Sequence, residues 1–80
     1  MIKLGQHFLT DKHALEKIVS LLELKNDDFV LEIGPGHGEL TERIAEYGCT
    51  VTAIERDGLF AEALREKFSG NEKIKIMDGD

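Results

Sequence analysis

A glycine-rich loop carries the residues of this sequence that are best suited to bind a small molecule. The loop runs from Glu32 to Gly38 and reads Glu-Ile-Gly-Pro-Gly-His-Gly, between a short apolar run and a segment with helical spacing. Glycine permits tight turns and a close approach of the backbone to a ligand, and the start of a helix offers free N–H groups. The loop therefore predicts a nucleotide- or nucleoside-binding turn between a strand and a helix.

The spacing of the glycines separates two classes of binding loop. Dinucleotide-binding loops have the pattern Gly-x-Gly-x-x-Gly. Here Gly34, Gly36 and Gly38 give Gly-x-Gly-x-Gly, and Glu39 stands where the third dinucleotide glycine belongs. Glu32 precedes the first glycine by two residues, and this acid-x-Gly-x-Gly-x-Gly pattern resembles the first motif of S-adenosylmethionine (SAM)-dependent methyltransferases. The alternative is an ordinary strand–helix turn with no ligand.

A second acid, Glu55, follows the glycine loop at a distance typical of ribose recognition. In nucleotide-binding folds, an acid about 20 residues past the first glycine accepts hydrogen bonds from the ribose hydroxyls. Glu55 has this spacing from Gly34 and ends a predicted strand. The alternative for Glu55 is a solvated acid at a strand end.

Acidic residues at the predicted strand ends favour a cationic ligand. We expect five acids to surround the crevice, with Arg56 as the one basic residue among them: Glu32, Glu55, Asp57, Asp78 and Asp80. They would repel a pyrophosphate, whereas SAM has no phosphate and carries a sulfonium and an ammonium group. The sequence therefore favours SAM as the cofactor over NAD, and an NAD-dependent oxidoreductase half-domain is the weaker alternative.

Helical and strand patterns alternate along the chain in the order helix, then β-α-β-α-β. The apolar spacing predicts helices over 10–24, 39–47 and 59–68 and strands over 29–33, 49–55 and 73–77, with Thr10 capping the first helix. This order indicates a parallel sheet with right-handed crossovers, whose ligands bind at the carboxyl ends of the strands. We expect an incomplete Rossmann-like α/β domain over residues 1–80, with the apolar strand 29–33 lacking a partner on one edge.

The composition excludes several classes of protein. With 80 residues, 41% of them hydrophobic and 32% charged, the chain has the composition of one small globular domain. It has no apolar run long enough to span a membrane, and the single cysteine excludes an internal disulfide and a cysteine-built zinc site. We expect a cytoplasmic protein that binds no metal. The net charge of −6 argues against a nucleic-acid-binding surface in this stretch.

Four segments together resemble the ribosomal RNA adenine N6,N6-dimethyltransferases. They are Gly5 to Asp11 (Gly-Gln-His-Phe-Leu-Thr-Asp), Glu32 to Thr41, Ile54 to Asp57, and Gly79-Asp80. The glycine loop alone is shared by many methyltransferases, and the upstream Gly-Gln-His-Phe-Leu segment narrows the resemblance to this family. The resemblance covers essentially the whole chain and implies a SAM-dependent enzyme that dimethylates adenines of ribosomal RNA.

The resemblance also implies a cofactor-binding role for individual residues. Gln6, His7 and Leu9 would pack over the methionine end of SAM, although the family often has Asn at the position of His7. The backbone of the loop at Gly34, Gly36 and Gly38 would approach the cofactor, Glu55 would hold the ribose, and Asp80 would recognise the adenine amino group.

The catalytic segment of the family, Asn-(Leu/Ile)-Pro-(Tyr/Phe), is not found in these 80 residues. We therefore assign no catalytic residue and expect an N-terminal part of a longer methyltransferase, inactive and marginally stable by itself. Ribosomal RNA would be bound mainly by a C-terminal part. The alternative is a non-catalytic module that binds SAM or another nucleoside.

Overall fold

The structure is a computed structural model and describes residues 12–79. In this part of the chain, three helices alternate with three strands. The elements are α1 (Lys12–Leu22), β1 (Phe29–Ile33), α2 (Glu39–Glu46), β2 (Thr50–Glu55), α3 (Gly58–Lys67) and β3 (Ile74–Asp78). The predicted order and the α/β class are confirmed, and the bounds differ from the predicted ones mainly at the helix ends. Thr10, the predicted cap of the first helix, lies outside the described residues.

The three strands form one parallel sheet in the order β1-β2-β3. Ile33 of β1 is paired with Ile54 of β2, and Glu55 is paired with Asp78 of β3. Parallel pairing in this register brings the carboxyl ends of all three strands to one edge of the sheet. This edge is where the fold places a ligand.

The core lies between the sheet and the helices, on one face of β2. Val51 and Ala53 are fully buried there, and Val51 joins a buried cluster with Cys49, which precedes β2, and with four residues of α1 and α2: Leu15, Val19, Leu40 and Ile44. Residues on the opposite face of β2, such as Thr52, are only half-buried. Burial of apolar surface contributes about 25 cal/mol per Å², and it is the main force that holds the helices on the sheet.

The outer edge of β1 is open in the described part of the chain. β1 pairs with β2 on one side, and no described strand pairs with the other side. Phe29 is 86% exposed and Leu31 is 43% exposed, although their apolar sequence predicts a strand buried on both faces. No helix within residues 12–79 has the length and hydropathy needed to cross a membrane.

Candidate functional site

The glycine loop is a tight turn between β1 and α2 whose three glycines all have positive φ angles. These angles are 68° at Gly34, 60° at Gly36 and 89° at Gly38, in the left-handed region that glycine adopts at least cost. The N–H of Gly34 donates to the carbonyl of Ile54 at 2.9 Å, and the N–H of Gly38 donates to the carbonyl of Pro35 at 3.0 Å. The predicted strand–turn–helix arrangement is confirmed.

The first and third glycines have different surroundings. A Cβ atom on Gly34 would meet no atom within 4 Å, whereas a Cβ atom on Gly38 would lie 2.7 Å from Cε2 of Phe68. Gly34 thus exposes its backbone to the open space at the sheet edge, where a ligand can approach it closely. Gly38 is instead required where the start of α2 packs against Phe68.

Glu55 lies at the carboxyl end of β2 and is only 8% exposed. Its Oε2 accepts a hydrogen bond from the N–H of Asp57 at 2.9 Å, and its carbonyl accepts from the N–H of Gly79 at 3.1 Å. These bonds fix the carboxylate beside the crevice, on the strand next to the glycine loop. A freely solvated surface acid would be far more exposed, so the structure does not support the alternative of a solvated acid at a strand end.

Asp57 and Asp78 already have partners of their own. Asp57 is the N-cap of α3, and its Oδ1 accepts from the N–H groups of Leu59 at 2.9 Å and Phe60 at 3.3 Å. Asp78 forms an ion pair with Arg65 at 3.0 Å. The expectation that Arg56 is the one compensating base was wrong, because α3 carries Arg65 back to the end of β3.

Glu32 is buried in β1, and its side chain is hydrogen-bonded to α2. It is 5% exposed, and its Oε1 accepts a hydrogen bond from the hydroxyl of Thr41, which is fully buried in the first turn of α2. Burial raises the pKa of the Glu32 carboxyl, the hydrogen bond from Thr41 opposes the increase, and the nearby charge of Glu39 adds to it. Of the five acids expected around the crevice, Glu32 and Asp78 thus have side-chain partners, and Asp80 lies outside the described residues.

The remaining predicted cofactor residues lie outside the described residues. They are Gln6, His7 and Leu9 near the start of the chain, and Asp80 at position 80. The structure does bring Gly34 and Glu55 to the same sheet edge. Thr41 is the residue that sequence reasoning left without a role, although it belongs to the glycine-loop motif.

A parallel sheet with a glycine loop after its first strand and an acid after its second is the cofactor-binding half of a Rossmann-like methyltransferase fold. The comparisons with known proteins agree. Residues 1–80 match the family described as ribosomal RNA adenine dimethylase, so the chain belongs to this family.

Individual relatives and solved structures show the same relationship. The "Probable ribosomal RNA small subunit methyltransferase A" of Methanococcoides burtonii is 48% identical over 94% of this chain and 28% of the relative. The crystal structure of the 23S rRNA methyltransferase ErmE matches with a TM-score of 0.82 and 40% sequence identity. The match covers 88% of this chain and 29% of the ErmE chain. A dimethyladenosine transferase from Plasmodium falciparum gives a TM-score of 0.79 at 27% identity, over 88% of this chain and 26% of that chain. The present chain thus spans well under half of each relative.

Proposed function

We propose that residues 1–80 form the cofactor-binding part of a SAM-dependent ribosomal RNA (adenine-N6,N6)-dimethyltransferase. The observation that carries the proposal is the juxtaposition of Gly34 and Glu55. Gly34 offers its backbone to open space, and Glu55 holds a nearly buried carboxylate on the adjacent strand at the same edge. A nucleoside fits these two features because its ribose hydroxyls can donate to the carboxylate.

The described residues fit SAM better than a dinucleotide. In the Gly-x-Gly-x-Gly spacing, Glu39 stands at the position of the third dinucleotide glycine. A carboxylate at this position would repel the negative charges of a pyrophosphate. SAM supplies an activated methyl group on its sulfonium when it is bound. Gly34 and Glu55 would bind and orient the cofactor, and proposed further contacts come from Gln6, His7, Leu9 and Asp80.

The proposed methyl acceptor is the N6 amino group of an adenine in ribosomal RNA. This substrate is supported by the names of the relatives, which are rRNA methyltransferases of the small and the large subunit. The net charge of −6 does not suit an RNA-binding surface, so we assign the RNA contacts mainly to sequence that the relatives have beyond the matched region. We place the reaction in the cytoplasm, where ribosomal RNA is assembled into subunits.

Titration calorimetry with SAM, S-adenosylhomocysteine and NAD tests the cofactor. We expect both adenosyl ligands to bind more tightly than NAD, and tighter binding of NAD would overturn the assignment. Glu55→Ala is expected to weaken SAM binding by about 10- to 100-fold, because a hydrogen bond to a charged group is lost. Glu62→Ala removes an equal charge from an exposed position of α3 and serves as the control, with unchanged affinity.

Glu55→Gln separates ligand binding from support of the loop. The amide oxygen of Gln can still accept the hydrogen bond from the N–H of Asp57, but the residue has lost its charge. We expect an affinity between those of the wild type and Glu55→Ala. Equal affinities of all three proteins would show that Glu55 does not contact the ribose.

A further inference from the structure

The buried residue of β1 is a carboxylate, although the rest of the strand is apolar. Glu32 is 5% exposed, whereas the neighbouring Leu31 is 43% exposed. Glutamate is rarely buried unless it is paired, because removing its charge from water is costly. An apolar side chain would fill this position with less loss of stability, so packing alone does not account for Glu32.

The hydrogen bond between Thr41 and Glu32 joins the two ends of the glycine loop. The two residues are nine positions apart, and the segment between them contains all three glycines with positive φ. The N-cap residue of α2 is Gly38, which has no side chain to cap the helix. The Thr41 hydroxyl therefore provides the side-chain link between the start of α2 and the end of β1.

Glycine-rich segments lose more conformational entropy on ordering than other segments, so this loop needs anchors to keep one conformation. Two other hydrogen bonds also anchor the loop. The N–H of Gly34 bonds to Ile54, and Nζ of Lys67 donates to the carbonyl of His37 at 2.7 Å from an exposed position. The Thr41–Glu32 bond is the buried anchor, shielded from competition by water.

We propose that Thr41 is a positioning residue for the cofactor: its hydrogen bond to Glu32 holds the glycine loop in the conformation that binds the adenosyl ligand. This inference rests on the proposed function. Thr41 is fully buried and does not touch the ligand, so it acts through the backbone of the loop. Ordering the loop before binding lowers the entropic cost of binding.

The decisive variant replaces both partners, as Glu32→Met with Thr41→Val. Two apolar side chains of similar shape leave no buried polar group unpaired, so the fold is expected to keep its stability while losing the bond. We expect SAM to bind at least about tenfold more weakly than to the wild type, with no decrease in Tm. Unchanged affinity of this double variant would overturn the proposal.

Three matched variants separate the bond from charge and packing. Thr41→Ser keeps the hydroxyl and Glu32→Gln keeps an oxygen that accepts from it, so both are expected to bind SAM within about threefold of wild type. Ile44→Val removes a methylene from the core of the same helix and leaves the bond intact. A tenfold loss of affinity in Thr41→Ser would assign the effect to side-chain shape and not to the bond. The same loss in Glu32→Gln would assign it to charge, and in Ile44→Val to general packing.

Hydrogen exchange of the loop amides provides a readout that needs no ligand. In the double variant we expect the amides of Gly34 and Gly38 to exchange about tenfold faster, while amides in the middle of β2 keep their rates. Unchanged loop rates would overturn the positioning role. If the wild type fails to bind SAM while the loop rates respond as expected, the proposed function fails and the loop-ordering role of Thr41 stands.

Discussion

A Cβ atom on Gly38 would lie 2.7 Å from Cε2 and 2.8 Å from Cζ of Phe68. Gly38 is the N-cap of α2, and Phe68 is the C-cap of α3, with 9% of its surface exposed. The last glycine of the glycine loop thus lies where the start of α2 meets the end of α3. The shape of the glycine loop and the packing of α3 therefore depend on each other.

Gly38→Ala is expected to destabilise the fold by about 2–4 kcal/mol. The new methyl group would have to displace the buried Phe68 ring, and a φ of 89° is unfavourable for alanine. Chemical or thermal unfolding followed by circular dichroism would measure the loss. Gly34→Ala is the control, since its φ is also positive but its Cβ meets no atom, so about 1–2 kcal/mol is expected. Equal losses in both variants would contradict a steric role for Phe68.

Asp57→Ala is expected to cost about 1 kcal/mol, the usual effect of removing an N-cap side chain. Oδ1 of Asp57 satisfies two N–H groups in the first turn of α3 that have no carbonyl partner within the helix. Asp57→Ser keeps a capping oxygen and should retain most of the stability, as measured by the same unfolding experiment. A serine variant as unstable as the alanine variant would indicate that Asp57 acts by another route.

The sequence predicts most of this fold because its local signals agree with one another. Strand β1, the glycine turn and helix α2 follow from apolar runs and glycine spacing, which depend on neighbouring residues only. The pairing of Asp78 with Arg65 and the burial of Glu32 against Thr41 depend on how α3 and α2 return to the sheet. Such contacts are set by tertiary packing, so the sequence alone did not reveal that Asp78 and Glu32 have side-chain partners.

Glu32→Gln is expected to stabilise the fold at neutral and alkaline pH. Burial raises the pKa of the Glu32 carboxyl above its ordinary value of 4.5, so the folded state holds this proton more tightly than the unfolded state. The stability that this proton contributes to the folded state is fully present below about pH 4.5, and it is lost as the pH rises through the raised pKa. Glutamine has no proton to lose and avoids this cost.

Free energies of unfolding of the wild type and of Glu32→Gln, measured at pH 4 and at pH 8, would test the direction of this pH dependence. The advantage of the variant should be larger at pH 8 than at pH 4, because the stability contributed by the Glu32 proton is lost as the pH rises through the raised pKa. Glu42→Gln, at an exposed position of α2, is the control and should show a much smaller change. A wild type that gains stability over the variant with rising pH would contradict the effect of burial on Glu32.

Phe29→Lys is expected to reduce self-association of the chain. Within residues 12–79, the outer edge of β1 has no strand partner, and the 86% exposed Phe29 borders an apolar groove of about 380 Å³ that includes Leu31 and Leu40. An unpaired strand edge beside apolar surface favours pairing with a second copy, and a lysine there opposes it by charge repulsion. Sedimentation velocity over a concentration series would show a shift toward monomer. Leu21→Lys changes a 72% exposed leucine on α1, and an equal shift in that variant would mean that general surface hydrophobicity, not the β1 edge, drives association.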